Sequence, residues 1–187
     1  MNLAWGDSRT NPFITNVGLV TSNGSYGENV MSAEWTHYVS YAPAYIVVNI
    51  KPIAATADNI IESKEFGVSL ASINQNVFAS VAGMNSGKNV DKIAALKELG
   101  FEFYAAKKIN APMVKNAAMN AECKLVKYEP LGDRFMFVGE IVEITASETD
   151  ESLAYHDGKY YELGKNIRKS SEEEFVRISE VVKKHTR

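Results

Sequence analysis

Hydrophobic and polar positions along the first third of this chain trace a hairpin. Residues 17–22 (VGLVTS) have the apolar, β-branched character of a strand. The run Asn23-Gly24-Ser25-Tyr26-Gly27 is turn chemistry, because asparagine and glycine tolerate a positive φ. Residues 28–34 then return as the second strand. Residues 45–50 (YIVVNI) are apolar on both faces, the pattern of a strand buried from both sides. Between these strands lies a polar, aromatic stretch with Thr36, His37 and Ser40, which reads as a loop. It is too rich in tyrosine for a simple connector. It either packs on its own protein or lines a site for something flat and phosphorylated.

Further along, residues 56–64 have helical composition after Pro52, and residues 66–71 (FGVSLA) read as a strand. Helices are predicted over 76–82 and 89–99, the second with Asn89 as N-cap and Gly100 as stop. Strands over 123–128 and 134–146 are joined by Pro130-Leu131-Gly132-Asp133. Residues 171–185 form a last helix. Ser171 and Glu174 make a capping box, and Phe175, Ile178, Val181 and Val182 make one apolar stripe. Lys183 and Lys184 sit at its negative C-terminal end. Strands in hairpin-like succession with inserted helices lack the strand–helix alternation of a doubly wound sheet. The predicted fold is mainly β (α+β): an antiparallel barrel with peripheral helices, in one domain over 1–187. The C-terminal helix within 169–187 covers a barrel end or a partner subunit.

Composition narrows the function classes. The chain has 187 residues, 23% of them charged, and a net charge of −3, which argues against a nucleic-acid surface. Cys123 is the only cysteine, and with three scattered histidines it makes no zinc pattern. The N-terminus has no signal-peptide pattern, and no apolar run nears the roughly 20 residues of a membrane span. A cytoplasmic protein with no membrane partner is expected. Gly83-Met84-Asn85-Ser86-Gly87-Lys88-Asn89 resembles a phosphate loop but has the wrong glycine spacing and lacks its Ser or Thr. Ser86-Gly87-Lys88 reads either as a turn offering a cation and N–H groups to an anion or as a solvated turn. Neither a Gly-x-Gly-x-x-Gly nor a Gly-x-Ser-x-Gly occurs, so a Rossmann crevice and a serine-hydrolase elbow are not expected.

The stretch from 29 to 56 is different in kind. Asn29, Ser32 and Ser40 supply small hydrogen-bonding groups, and Met31 and Trp35 supply flat apolar walls. Lys51 and Thr56 stand where a helix begins, a good place for a phosphate. The order "NVMSAEW", "VSYAP", "YIVVNI", "TADNI" and, later, "NSGKNVDKI" resembles the flavin reductase-like proteins that bind FMN in a split barrel, the group that includes flavoredoxin. The resemblance covers about residues 11 to 165. His37 and Ala44 depart from the family's prolines, and the last helix has no clear counterpart. The resemblance implies a homodimeric split barrel. FMN would be held by Asn29, Met31, Ser32, Ala33, Trp35, Ser40, Asn49, Lys51, Thr56 and Lys88. It also implies NADH or NADPH as hydride donor, and free flavin or a protein as electron acceptor. Hydride transfer needs no side-chain acid or base, so no catalytic residue is expected.

Overall fold

The structure is a computed structural model and describes residues 1–4, 6–148, 151–167 and 170–185. Its frame is seven antiparallel strands: β2 (Gly18–Ser22), β3 (Asn29–Ala33), β4 (Thr36–Tyr41), β5 (Ala44–Ile50), β6 (Glu65–Leu70), β9 (Met119–Leu131) and β10 (Arg134–Ala146). Their order across the sheet is β3-β2-β6-β9-β10-β5-β4. Strand β1 (Thr15–Asn16) joins β11 (Ala154–His156) and β12 (Lys159–Tyr161) in a second sheet, and β7 (Phe103–Ala105) pairs with β8 (Pro112–Val114). The helices are α1 (Ala55–Ser63), α2 (Asn76–Met84), α3 (Lys92–Glu98) and α4 (Glu172–Lys184).

Seven strands at the usual spacing would set the sheet's edges about 29 Å apart if it were flat. Yet the edge strands β3 and β4 are consecutive in sequence. The three peptide steps from Ala33 to Thr36 reach about 11 Å at most. The sheet therefore curls until its edges meet. The chain from Asn29 to Tyr41 pairs with β2 before a bend at Glu34 and Trp35, and with β5 after it. Thr36 Oγ1 donates to the Ala33 carbonyl across this bend at 2.8 Å. Gly18 lets the bend close down, since a Cβ there would lie 2.7 Å from Thr36 Cβ. The predicted barrel needs this correction: β3 and β4 meet end to end, so no ladder between them closes the sheet.

The curl has two packed faces. Val20, Val48, Ile50, Phe66, Val68 and Phe137 fill its inside together with Ala57 and Ile60 of α1. Leu19 and Val30 point the other way, to Phe78 and Ala79 of α2 and Ile93 and Leu96 of α3. Strand β2 is buried along its whole length for this reason. Strand β5 departs from its expected double burial. Ile46, Val48 and Ile50 point inward, while Tyr45, Val47 and Asn49 are half-buried. Three other expectations change. Residues 36–41 are a strand rather than a loop, ending in a turn at the cis Ala42–Pro43 bond. The third helix begins at Lys92 with Asp91, not Asn89, as its cap, because the Asp91 carboxylate accepts from the Ala94 N–H at 2.9 Å. The predicted strand at 123–128 extends from Met119 to Leu131. The capping box of α4 forms as read.

Candidate functional site

A cavity of about 660 Å³ opens along the free edge of β3, between the start of α1, the end of α2 and the β11–β12 hairpin. The contiguous run from Met31 to Trp35 lines it. Because β3 pairs on one side only, its other edge presents backbone donors and acceptors there.

One end is suited to an anion. Lys51 and the residues leading into α1 line it, and Ala54 provides no side-chain cap for that helix. Thr56 in the first turn is fully buried, and its hydroxyl oxygen accepts from Asn29 Nδ2 at 2.8 Å. That geometry leaves the Thr56 proton free to point elsewhere. Gly87 closes on the same corner, where a Cβ would lie 2.7 Å from the Asn29 carboxamide carbon. Ser86 stands beside it in the lining.

The rest of the cavity is flatter and more apolar. Ser32 faces Gly83 of α2, and a Cβ on that glycine would approach Ser32 Cβ to 3.2 Å. Trp35 carries the Arg134 guanidinium over its ring at 4.8 Å from the centroid. Asn49 Oδ1 is buried in the wall without a hydrogen-bond partner, a group that favours a ligand donor. Tyr155 and Tyr160 close the far side, with ring centroids 5.7 Å apart. Burial raises the Tyr155 phenol pKa, and the Glu34 carboxylate adds to the effect.

Lys92 lines the cavity from the start of α3 and is only 2% exposed. Its Nζ donates to the carbonyls of Ala82 at 3.1 Å and Asn85 at 3.2 Å, which ties down the end of α2 and the turn after it. Burial pushes its pKa down to about 8.

The structure brings most of the predicted residues together: Asn29, Met31, Ser32, Ala33 and Trp35 from β3 and its bend, with Asn49, Lys51 and Thr56 from β5 to α1. It leaves two outside the lining. Ser40 lies on β4 opposite Tyr45, because the presumed loop is an edge strand that leads away from the cavity. Lys88 instead pairs with Asp58 at 2.8 Å and lies over the Tyr26 ring. Asp58 is also the main cause of its raised pKa. The sequence reading missed Lys92, Arg134, Tyr155 and Tyr160. Lys92 had a signal, since it shares a helix face with Leu96 four residues on. The others arrive from distant strands and had none. Cys123 is fully buried, with its thiol pKa pushed up to about 12 by burial, as befits a core residue.

Among the described residues, no cluster of His, Cys, Asp and Glu could hold a metal ion, and no helix is long and apolar enough to cross a membrane.

Comparison with known proteins gives this chain a family. A protein of Archaeoglobus fulgidus without an assigned role is 31% identical over 156 residues, covering 79% of this chain and 84% of that one. BorF, the flavin reductase component of a bacterial two-component tryptophan halogenase, matches with a TM-score of 0.73 at 26% identity. The match covers 86% of this chain and 100% of BorF. The Streptomyces globisporus NADH:FAD oxidoreductase SgcE6, in complex with NAD and FAD fragments, has the same fold, with a TM-score of 0.73 at 22% identity. It covers 81% of this chain and 87% of that one. The sequence model of the flavin reductase like domain matches residues 9–164, and the chain therefore belongs to the flavin reductase like domain family.

Proposed function

We propose that the cavity binds FMN and that the protein, as a homodimer, is an NAD(P)H-dependent flavin reductase-like oxidoreductase. The observation that carries this reading is the pairing of a phosphate-type corner with an open strand edge in one cavity. Thr56, Lys51 and the uncapped start of α1 offer a hydroxyl, a charge and oriented N–H groups. The β3 edge offers alternating donors and acceptors to a ring edge that carries carbonyls and N–H. Asn49 Oδ1 waits for a donor. The volume is within the usual range for a cofactor site.

Bound FMN would supply the hydride-accepting chemistry, with free flavin or a protein as the next acceptor. The chain's own residues bind and orient. Asn29 fixes the Thr56 hydroxyl, Met31 and Trp35 supply flat contact, and Lys92 sets positive charge in the wall while anchoring the turn at Asn85. The β11–β12 hairpin screens the far side from water with Tyr155 and Tyr160. No side chain is assigned an acid or base role, because holding two rings in contact is sufficient for direct hydride transfer.

The test is a spectrum followed by an anaerobic titration. The purified protein is expected to be yellow, or to turn yellow with FMN, and its band near roughly 450 nm should bleach with NADH or NADPH. A yellow protein that neither nucleotide bleaches is an electron carrier of the flavoredoxin type. A protein that binds no flavin overturns the reading.

A further inference from the structure

Helix α4 lies beyond the segment that the family model matches, and its apolar stripe is exposed. None of its residues is buried, and Phe175, Ile178 and Val182 are 66%, 49% and 61% exposed. A helix of this length is marginal in water without a packed face. Its charges are segregated. Glu172, Glu173 and Glu174 occupy the first turn, while Lys183 and Lys184 occupy the last. We infer that α4 pairs antiparallel with α4 of a second copy, about a two-fold axis at Ile178.

Ile178 is the midpoint of Glu172–Lys184. In that arrangement Ile178 meets its own copy, and Phe175 meets Val181 and Val182 of the partner subunit. Glu172 and Glu173 lie opposite Lys184 of the partner subunit and Lys183 of the partner subunit. Glu172 and Lys183 are also on one side of the stripe, since eleven residues are about three helical turns. A parallel pair would instead stack acid on acid and base on base, which is destabilising. A membrane surface fits poorly, because four acids share the helix with three bases and leave no cationic face. The helix spans about 20 Å, too little to hold a dimer by itself, so the pairing adds to a body interface and rests on the homodimer reading.

Single cysteines on the full chain test this, since the one native cysteine is buried. Under mild oxidation, Ile178→Cys is expected to give a covalent dimer, because the two positions meet at the axis. Phe175→Cys should not, because its two copies lie about 9 Å apart along the axis, beyond disulfide reach. Glu172→Lys with Glu173→Lys, or Lys183→Glu with Lys184→Glu, each pair added to Ile178→Cys, should lower the yield several-fold, and all four together should restore it. Cross-linking at both 175 and 178 would mean a parallel pair and overturn the proposal, as would no cross-link at either. An unchanged FMN spectrum confirms that the variants are folded. Light scattering on the wild-type protein reports the body dimer separately. A dimer that fails to cross-link therefore sinks the helix pairing alone.

Discussion

Thr56 and Lys51 put the phosphate hypothesis at the scale of single side chains. Charge-assisted hydrogen bonds are worth about 1.5–3 kcal/mol, so the wild type should prefer FMN to riboflavin by at least about tenfold. Thr56→Ala and Lys51→Ala should each shrink that preference several-fold while riboflavin binding stays nearly unchanged. Parallel fluorescence titrations with the two ligands check this, and equal losses would assign both residues to the fold instead. Lys92 makes a second prediction. Its pKa is lowered to about 8, below the ordinary lysine value, so the unfolded chain holds this proton to higher pH than the folded chain. Below pH 8 both states are protonated, and the cost of the buried charge is constant. From about pH 8 to 10 the unfolded state binds more protons, and stability rises with pH. Urea unfolding of the flavin-free protein should show the wild type gaining roughly 2 kcal/mol on Lys92→Met across that window. Parallel curves for the two proteins would place the ammonium in water.

At the scale of elements, β10 shows how tightly the curl is packed. Gly139 sits in β10 at a register shift against β9. A Cβ there would meet Cys123 Cβ at 2.8 Å and press on the Phe66 ring, both fully buried. Neither neighbour is a flexible chain end, so Gly139→Ala should destabilise the protein by about 1–3 kcal/mol, the usual cost of overpacking. Denaturant midpoints measure it, and an unchanged midpoint would show that the sheet yields there. The strand β4 carries the opposite lesson. Its Tyr38, Val39 and Tyr41 are exposed at the sheet's edge, so its residues satisfy strand pairing on one side without a core face to mark them. That is why its sequence read as a loop.

At the scale of the whole molecule, the same edge is the surface on which the proposed dimer is tested. An edge strand bearing 46%, 55% and 86% exposed apolar or aromatic side chains, and no Asp, Glu, Lys or Arg, invites a partner. Light scattering should give about twice the 20.6 kDa chain mass. Tyr41→Lys together with Val39→Lys should shift the equilibrium toward the monomer, and a monomeric wild type would remove the dimer outright.

Local chemistry by itself determined much of this protein. The hairpin at 17–34, the stop at Gly100, the capping box of α4 and the order of motifs from Asn29 to Thr56 were legible because each depends on neighbours within a few residues. Eight of the ten expected site residues line the cavity for the same reason, since β3 and the β5–α1 junction are each short continuous runs. What required the tertiary structure is everything set by strands far apart in sequence. The end-to-end meeting of β3 and β4 at Glu34 and Trp35 follows from the strand order, which no local pattern encodes. Arg134, Tyr155 and Tyr160 reach the cavity only because the sheet curls and the β11–β12 hairpin folds over it. The place of Lys88 outside the lining and of Lys92 within it has a similar cause. Asp58 is 30 residues from Lys88 in sequence yet 2.8 Å away in space, and the two pair outside the cavity lining. Lys92, turned inward by the face it shares with Leu96, is the one that enters the wall.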